Sequence, residues 1–105
     1  MAQKLTADGI LQKLQSNSAR LQSLGVNRIG LFGSYRHNQA HPGSDIDFLV
    51  DFKQVGFDNY MDLKFLLEDL YQCEVDLVLE GQVKPRLRSK IQSEVVYAQG
   101  LPTVS

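Results

Sequence analysis

Apolar residues recur along the chain with two different periods, and the points where the period changes divide it into elements. Between Thr6 and Leu24, residues Ile10, Leu11, Leu14, Leu21 and Leu24 fall mostly three and four apart, the stripe of one amphipathic helix. Thr6 suits its N-cap and Gly25 its stop, while Gly9 weakens the first turn. Arg28–Phe32 reads as a short strand ending at Gly33-Ser34. The polar stretch Tyr35–Ser44 contains Pro42 and Gly43 and reads as a loop with one helical turn at most. Period two follows: Ile46, Phe48 and Val50 alternate with Asp45, Asp47 and Asp51, while Leu49 and Phe52 break strict polarity. That pattern predicts a strand with one well-buried face and a second face that is acidic at one end only. Asp58–Gln72 returns to helical period, with Tyr60, Leu63, Leu67, Leu70 and Tyr71 on one face. In Glu74–Leu79, Val75, Leu77 and Leu79 point one way, and Asp76 and Val78 the other. Gly81 then interrupts the chain, and Pro85 opens a last helix to about Val96 with Leu87, Ile91 and Val95 as its inward stripe.

The order helix, strand, loop, strand, helix, strand, helix predicts an α/β (α+β) domain. Helices pack in it against a small mixed sheet of three or four strands. With 105 residues and neither an internal repeat nor a linker, residues 1–105 are expected to form a single domain.

Composition acts mainly by exclusion. Eleven basic and 12 acidic residues leave a net charge of −1, so no global field draws the chain to nucleic acid or anionic lipid. The longest apolar runs are a few residues, far short of the roughly 20 that cross a bilayer. Met1–Ser18 is polar and lacks the apolar core of a signal peptide. The single cysteine, Cys73, rules out an intramolecular disulfide and is expected to pack as a small hydrophobe in a reducing, cytoplasmic setting.

Three carboxylates stand on strands instead of loops. Asp45 and Asp47 are two apart and so share a face, and Asp76 lies on the polar face of the third strand. If those strands are neighbours, the three converge. Their mutual repulsion then calls for a divalent cation, and an all-oxygen donor set suits Mg²⁺, with Mn²⁺ as the alternative. Gly33-Ser34 ends the first strand, where glycine permits close backbone approach and exposed N–H groups can receive phosphate oxygens. A metal–triphosphate requires both features.

Gly33-Ser34, ten residues, then Asp45-Ile46-Asp47 resembles the GS-x10-D-x-D signature of the DNA polymerase β-like nucleotidyltransferase superfamily. Most of the chain resembles the minimal nucleotidyltransferases, the MntA-like antitoxin group. Val75–Val78, Val83-Lys-Pro-Arg-Leu-Arg88 and Glu94-Val-Val-Tyr97 are similar to that group's third strand and last helix. The resemblance implies a nucleotidyltransferase fold in which Gly33 and Ser34 hold the triphosphate. It also implies that Asp45 and Asp47 bind two Mg²⁺ ions and that Asp76 helps hold the ion that activates the acceptor hydroxyl. The implied reaction is transfer of AMP from ATP to a hydroxyl of a partner protein, a HEPN-domain toxin of the HepT type. The alternative is a non-catalytic antitoxin or regulatory module that occludes its partner. Where the group often reads GSxARG, this chain has Gly33-Ser-Tyr-Arg-His-Asn38, so arginine comes one position early at Arg36 and His37 takes its usual place. Arg36 is the nearest candidate for a phosphate contact.

Other polar residues read more simply. Asp51 is expected at the surface, and His37 and His41 as exposed loop histidines. Lys84, Arg86, Arg88 and Lys90 read as a solvated helix face, with the triphosphate tail, an acidic partner or RNA as the alternatives.

Overall fold

In the computed structural model, which describes residues 6–33, 35, 45–54 and 56–98, the sheet is built from the chain's β-branched and aromatic runs. Its strands are β1 (Val26–Phe32), β2 (Ile46–Phe52), β3 (Val75–Leu79) and a two-residue β4 (Val96–Tyr97), in the order β3-β2-β1-β4. β1 runs antiparallel to β2 and β4, whereas β2 and β3 are parallel. A parallel pair needs a crossover, and the 15-residue helix α3 (Phe57–Tyr71) supplies it.

The register explains which residues meet. Ile29 and Leu31 lie opposite Val50 and Phe48, and Ile46 and Phe48 opposite Val75 and Leu77. These seven side chains form one apolar face, and each is at most 5% exposed. They pack with Ile10 and Leu14 of α1 (Ala7–Ser16), Leu21 of α2 (Ser18–Ser23), and Leu63 and Leu67 of α3. Tyr71 closes this core: its ring lies 5.9 Å from that of Phe48, and its hydroxyl donates to the Ile10 carbonyl at 2.7 Å. Among the described residues, no helix is long and apolar enough to cross a membrane.

The N-terminal helix is capped by Thr6 as expected, its hydroxyl accepting from the Gly9 N–H at 3.1 Å. It is not continuous to Leu24, however. Asn17 breaks it at φ −110°, ψ 19°, and its side-chain amide donates to the Lys13 carbonyl at 2.8 Å. An asparagine that satisfies a helix carbonyl with its own side chain competes with the backbone ladder, and one helix ends at Ser16 and the next begins at Ser18.

The last helix, α4 (Pro85–Glu94), ends sooner than its periodicity implies, and none of its residues is buried. Leu87, expected to face inward, is 44% exposed, and Ile91 is half-buried. Beyond α4, the β-branched pair Val95-Val96 and Tyr97 turn extended, and Tyr97 and Val96 pair with Gly30 and Leu31 of β1. Gly30 makes that pairing fit. A Cβ there would lie 2.5 Å from Val95 Cγ2 and 3.1 Å from the Val96 carbonyl oxygen. Gly30→Ala is therefore expected to cost about 1–3 kcal/mol through overpacking, read as a lower urea midpoint at unchanged m-value.

The second face of the sheet holds the polar residues. At its far end Glu80 accepts from Arg28 Nε at 2.9 Å and from the Tyr97 hydroxyl, with the Arg28 guanidinium 4.7 Å over the Tyr97 ring. Asp51 accepts from Asn27 Nδ2 at 2.8 Å and is half-buried, so it is a structural partner and not the free surface group expected from sequence. The near end of this face carries the acidic residues.

Candidate active site

Asp47 and Asp76 are each the second residue of their strand, and the parallel register places them directly opposite one another. Neighbouring strands lie about 4.8 Å apart, so two side chains on the same face at paired positions are brought close. Asp76 is exposed and Asp47 half-buried. Asp45 sits just before β2 and not within it, and it too is exposed. Its charge still reaches Asp47. Burial, then Asp76, then Asp45 raise the Asp47 carboxyl from an ordinary 3.8 to about 6. The convergence expected from sequence therefore holds for Asp47 and Asp76, with Asp45 alongside.

Gly33 completes this corner. It follows Phe32, the residue of β1 paired with Asp47, and bends the chain at φ +80°. A Cβ at Gly33 would collide with the Asp47 carboxylate, its Cγ lying only 3.0 Å away. The glycine is thus needed twice: for a left-handed conformation and for room beside the carboxylate. Gly33→Ala is expected to displace the Asp47 side chain, lowering turnover about 10²-fold. Its stability loss should stay near 1–2 kcal/mol, the price of a left-handed non-glycine residue. Rates and urea melts on the same preparation check both effects. Ser34 and Arg36, along with His37 and His41, fall outside the described residues.

Beside the carboxylates opens a cleft of about 360 Å³ between the sheet and α4. Asp47 and Asp76 line it together with Phe32, Val78, Leu87 and Ile91, and Lys84 borders it. Of these residues, the strand pattern alone marks Val78, by placing it on the face of Asp76. Leu87 and Ile91 carry the same periodicity as a core stripe, and the sequence has no signal that separates a cleft wall from a core. Cys73 takes no part. Burial raises its thiol pKa, Asp45 and Glu68 add to the shift, and the side chain packs against the core.

Whether these residues suit a divalent metal is a question of donor chemistry. No three acidic, histidine or cysteine side chains among the described residues form a ready-made ligand set. Mg²⁺ does not need one, since it is commonly held by one or two carboxylates with water and substrate phosphates completing the octahedron. The Asp47–Asp76 pair supplies two hard oxygen donors, and the repulsion that raises the Asp47 carboxyl is what a cation relieves. The site fits the ion.

The family model for the nucleotidyltransferase domain matches residues 10–98. The protein adenylyltransferase MntA of Thermococcus cleftensis is 36% identical over 95 residues, 89% of this chain and 96% of that protein. A solved structure assigned as a minimal nucleotidyltransferase superposes with a TM-score of 0.70 at 29% identity, covering 90% of this chain and 98% of the other. The same fold, at TM-score 0.60 and 21% identity, occurs in a Shewanella oneidensis complex of a tri-AMPylated HEPN toxin with its MNT antitoxin. That match covers 86% of this chain and 72% of the other.

Proposed function

The chain belongs to the nucleotidyltransferase domain family and is a nucleotidyltransferase, and from that premise we propose that it transfers AMP from ATP to a hydroxyl of a partner protein. In this reading it acts as the antitoxin of a HEPN/MNT-type pair. The observation that carries the catalytic reading is the Asp47–Asp76 pairing, with Gly33 packed against the Asp47 carboxylate. Identity to a named protein adenylyltransferase over nearly the whole of both chains supports AMP as the transferred group and a protein as the acceptor. The HEPN partner is supported by the motif resemblance and by the Shewanella oneidensis complex of like fold.

Asp45, Asp47 and Asp76 would hold Mg²⁺, two ions in the fully assembled site. The ions supply charge neutralisation at the phosphates and a lowered pKa at the acceptor hydroxyl. The chain's own residues set the geometry. In this reading the bend at Gly33 brings the backbone close to the triphosphate, and the motif resemblance assigns Ser34 and Arg36 as further phosphate contacts. On the same reading the α-phosphate is held at Asp47, which lies between the Gly33 bend and Asp76. The acceptor oxygen forms its bond to the α-phosphorus as the bond to the bridging oxygen breaks. Pyrophosphate leaves with that electron pair, and the hydroxyl proton is lost to solvent beside the exposed Asp76. Positioning and electrostatics are the protein's whole contribution.

Occlusion without catalysis is the weaker reading. A module that acts by occlusion gains nothing from two carboxylates set directly opposite one another on neighbouring strands. The deciding experiment compares ATP labelled at the α- and the γ-phosphate, with Mg²⁺ and the protein encoded beside this chain as the partner. AMP transfer places the α-label alone on the partner. A γ-label on the partner, or no label from a complex that still forms, overturns the proposal.

A further inference from the structure

The two exposed large apolar side chains among the described residues are Phe65 and Leu87, at 59% and 44%. Phe65 lies on α3, on the side of the sheet away from the carboxylates, beside a groove it shares with Leu24 and Leu66. Nothing there indicates an occupant. Leu87 is different, because it borders the cleft whose other members include Asp47 and Asp76.

We infer that the cleft between α4 and the sheet receives the hydroxyl-bearing segment of the acceptor protein, with Leu87 and Ile91 as the wall that selects it. This rests on the transferase reading above and adds to it a location and its determinants. Three observations support the assignment. First, the elements lie in a fixed order across the sheet: the Gly33 turn after β1, then Asp47 on β2, then Asp76 on β3. In-line displacement puts the attacking oxygen and the leaving pyrophosphate on opposite sides of the α-phosphorus. If the turn holds the phosphates, the attacking group comes from the side of Asp76, and the cleft opens there.

Second, the cleft is lined as a binding wall and not as a core. Phe32, Val78, Leu87 and Ile91 give it an apolar side, the two carboxylates give it a polar one, and no residue of α4 is buried. A helix that leaves its apolar stripe half-exposed beside a reactive pair has surface to bury on a partner. Third, the volume of about 360 Å³ is open enough for a whole side chain and part of its backbone.

The test uses Leu87→Asp and the conservative Leu87→Met, neither of which disturbs a buried position. In Leu87→Asp, affinity for the HEPN partner, titrated by calorimetry without nucleotide, is expected to fall about tenfold or more. KM for that partner rises to match, while kcat and Mg-ATP affinity stay within about threefold, and Leu87→Met restores both. Weakened Mg-ATP binding at unchanged partner affinity would instead assign the wall to the nucleoside. Unchanged values throughout would leave the wall without a role. Either result overturns the inference. Because the calorimetric arm needs no turnover, it stands even if the α-label experiment fails, and the two readings can be refuted separately.

Discussion

Asp47→Asn is expected to lower nucleotidyl transfer by about 10³-fold while leaving the metal-free protein more stable than the wild type. The loss follows from position. Asp47 is the carboxylate between the Gly33 bend and Asp76, and it is the one the fold partly buries. Removing one preorganised electrostatic group from such a site typically costs about 10²–10³ in turnover, and Asp47 is placed to serve as metal ligand and phosphate anchor together. The gain follows from the same geometry. At neutral pH the folded chain holds a carboxylate that burial and two like charges disfavour, and asparagine has the same shape without the charge. The difference between about 6 and the ordinary 3.8 converts to roughly 3 kcal/mol at face value. Solvent screening of a half-exposed group brings that to about 1–1.5 kcal/mol. Initial rates and urea melts in a chelator measure both effects. A misfolded variant would lose activity and stability together, so the opposite signs identify the cause.

The second large effect is on pH dependence. Below the ordinary value of 3.8, Asp47 is protonated in the folded and unfolded chain alike, and its penalty is absent. Between 3.8 and about 6 the folded state binds more protons than the unfolded, so stability falls as pH rises through that window. Above about 6 the penalty is complete. Metal-free wild type should therefore lose about 1–1.5 kcal/mol relative to Asp47→Asn on going from pH 4 to pH 7, a Tm difference of about 5–10 °C for a domain of this size. Since every other carboxylate titrates in both proteins, the difference between the two curves is the quantity to follow. Parallel curves would show that the Asp47 carboxyl is not held high. Saturating Mg-ATP at about 100 times its Kd should add about 2.7 kcal/mol to the wild type at pH 7.

Much of this molecule is legible in its sequence, and the exceptions share a cause. Alternation in Ile46–Phe52 and Val75–Leu79 assigns both strands and both faces, because a buried apolar face fixes the register of a sheet. The alternation puts Asp47 and Asp76 each on the polar face of its own strand, and the parallel pairing of β2 and β3 brings the two together. What periodicity cannot carry is the identity of the neighbour. Leu87 and Ile91 have the spacing of a core stripe, yet they lie over the polar end of the sheet and wall a cleft. Val95 continues the helical period of Leu87 and Ile91, yet the chain turns extended there and Val96 and Tyr97 pair with β1, where Gly30 leaves room. Asn17 breaks the N-terminal helix inside the seven-residue gap between Leu14 and Leu21, a gap of two turns that one continuous amphipathic helix would also accommodate. The alternation puts Asp45 on the strand, yet it stands one position outside, since the pattern that marks a strand does not mark its end. The position of Gly33 in the sequence suggests backbone approach to phosphate, and its closeness to the Asp47 carboxylate is a tertiary fact.

The most direct test of the proposed catalytic site is the intact mass of the proposed HEPN-domain acceptor after incubation with ATP and Mg²⁺, using wild type, Asp47→Asn and Asp76→Asn. Binding of each protein to the partner is measured alongside. The expected result is a gain of whole AMP units with wild type alone, while all three proteins still bind. A partner that gains AMP equally with either variant, or gains none with wild type despite tight binding, would contradict a transferase site built on the paired carboxylates of β2 and β3.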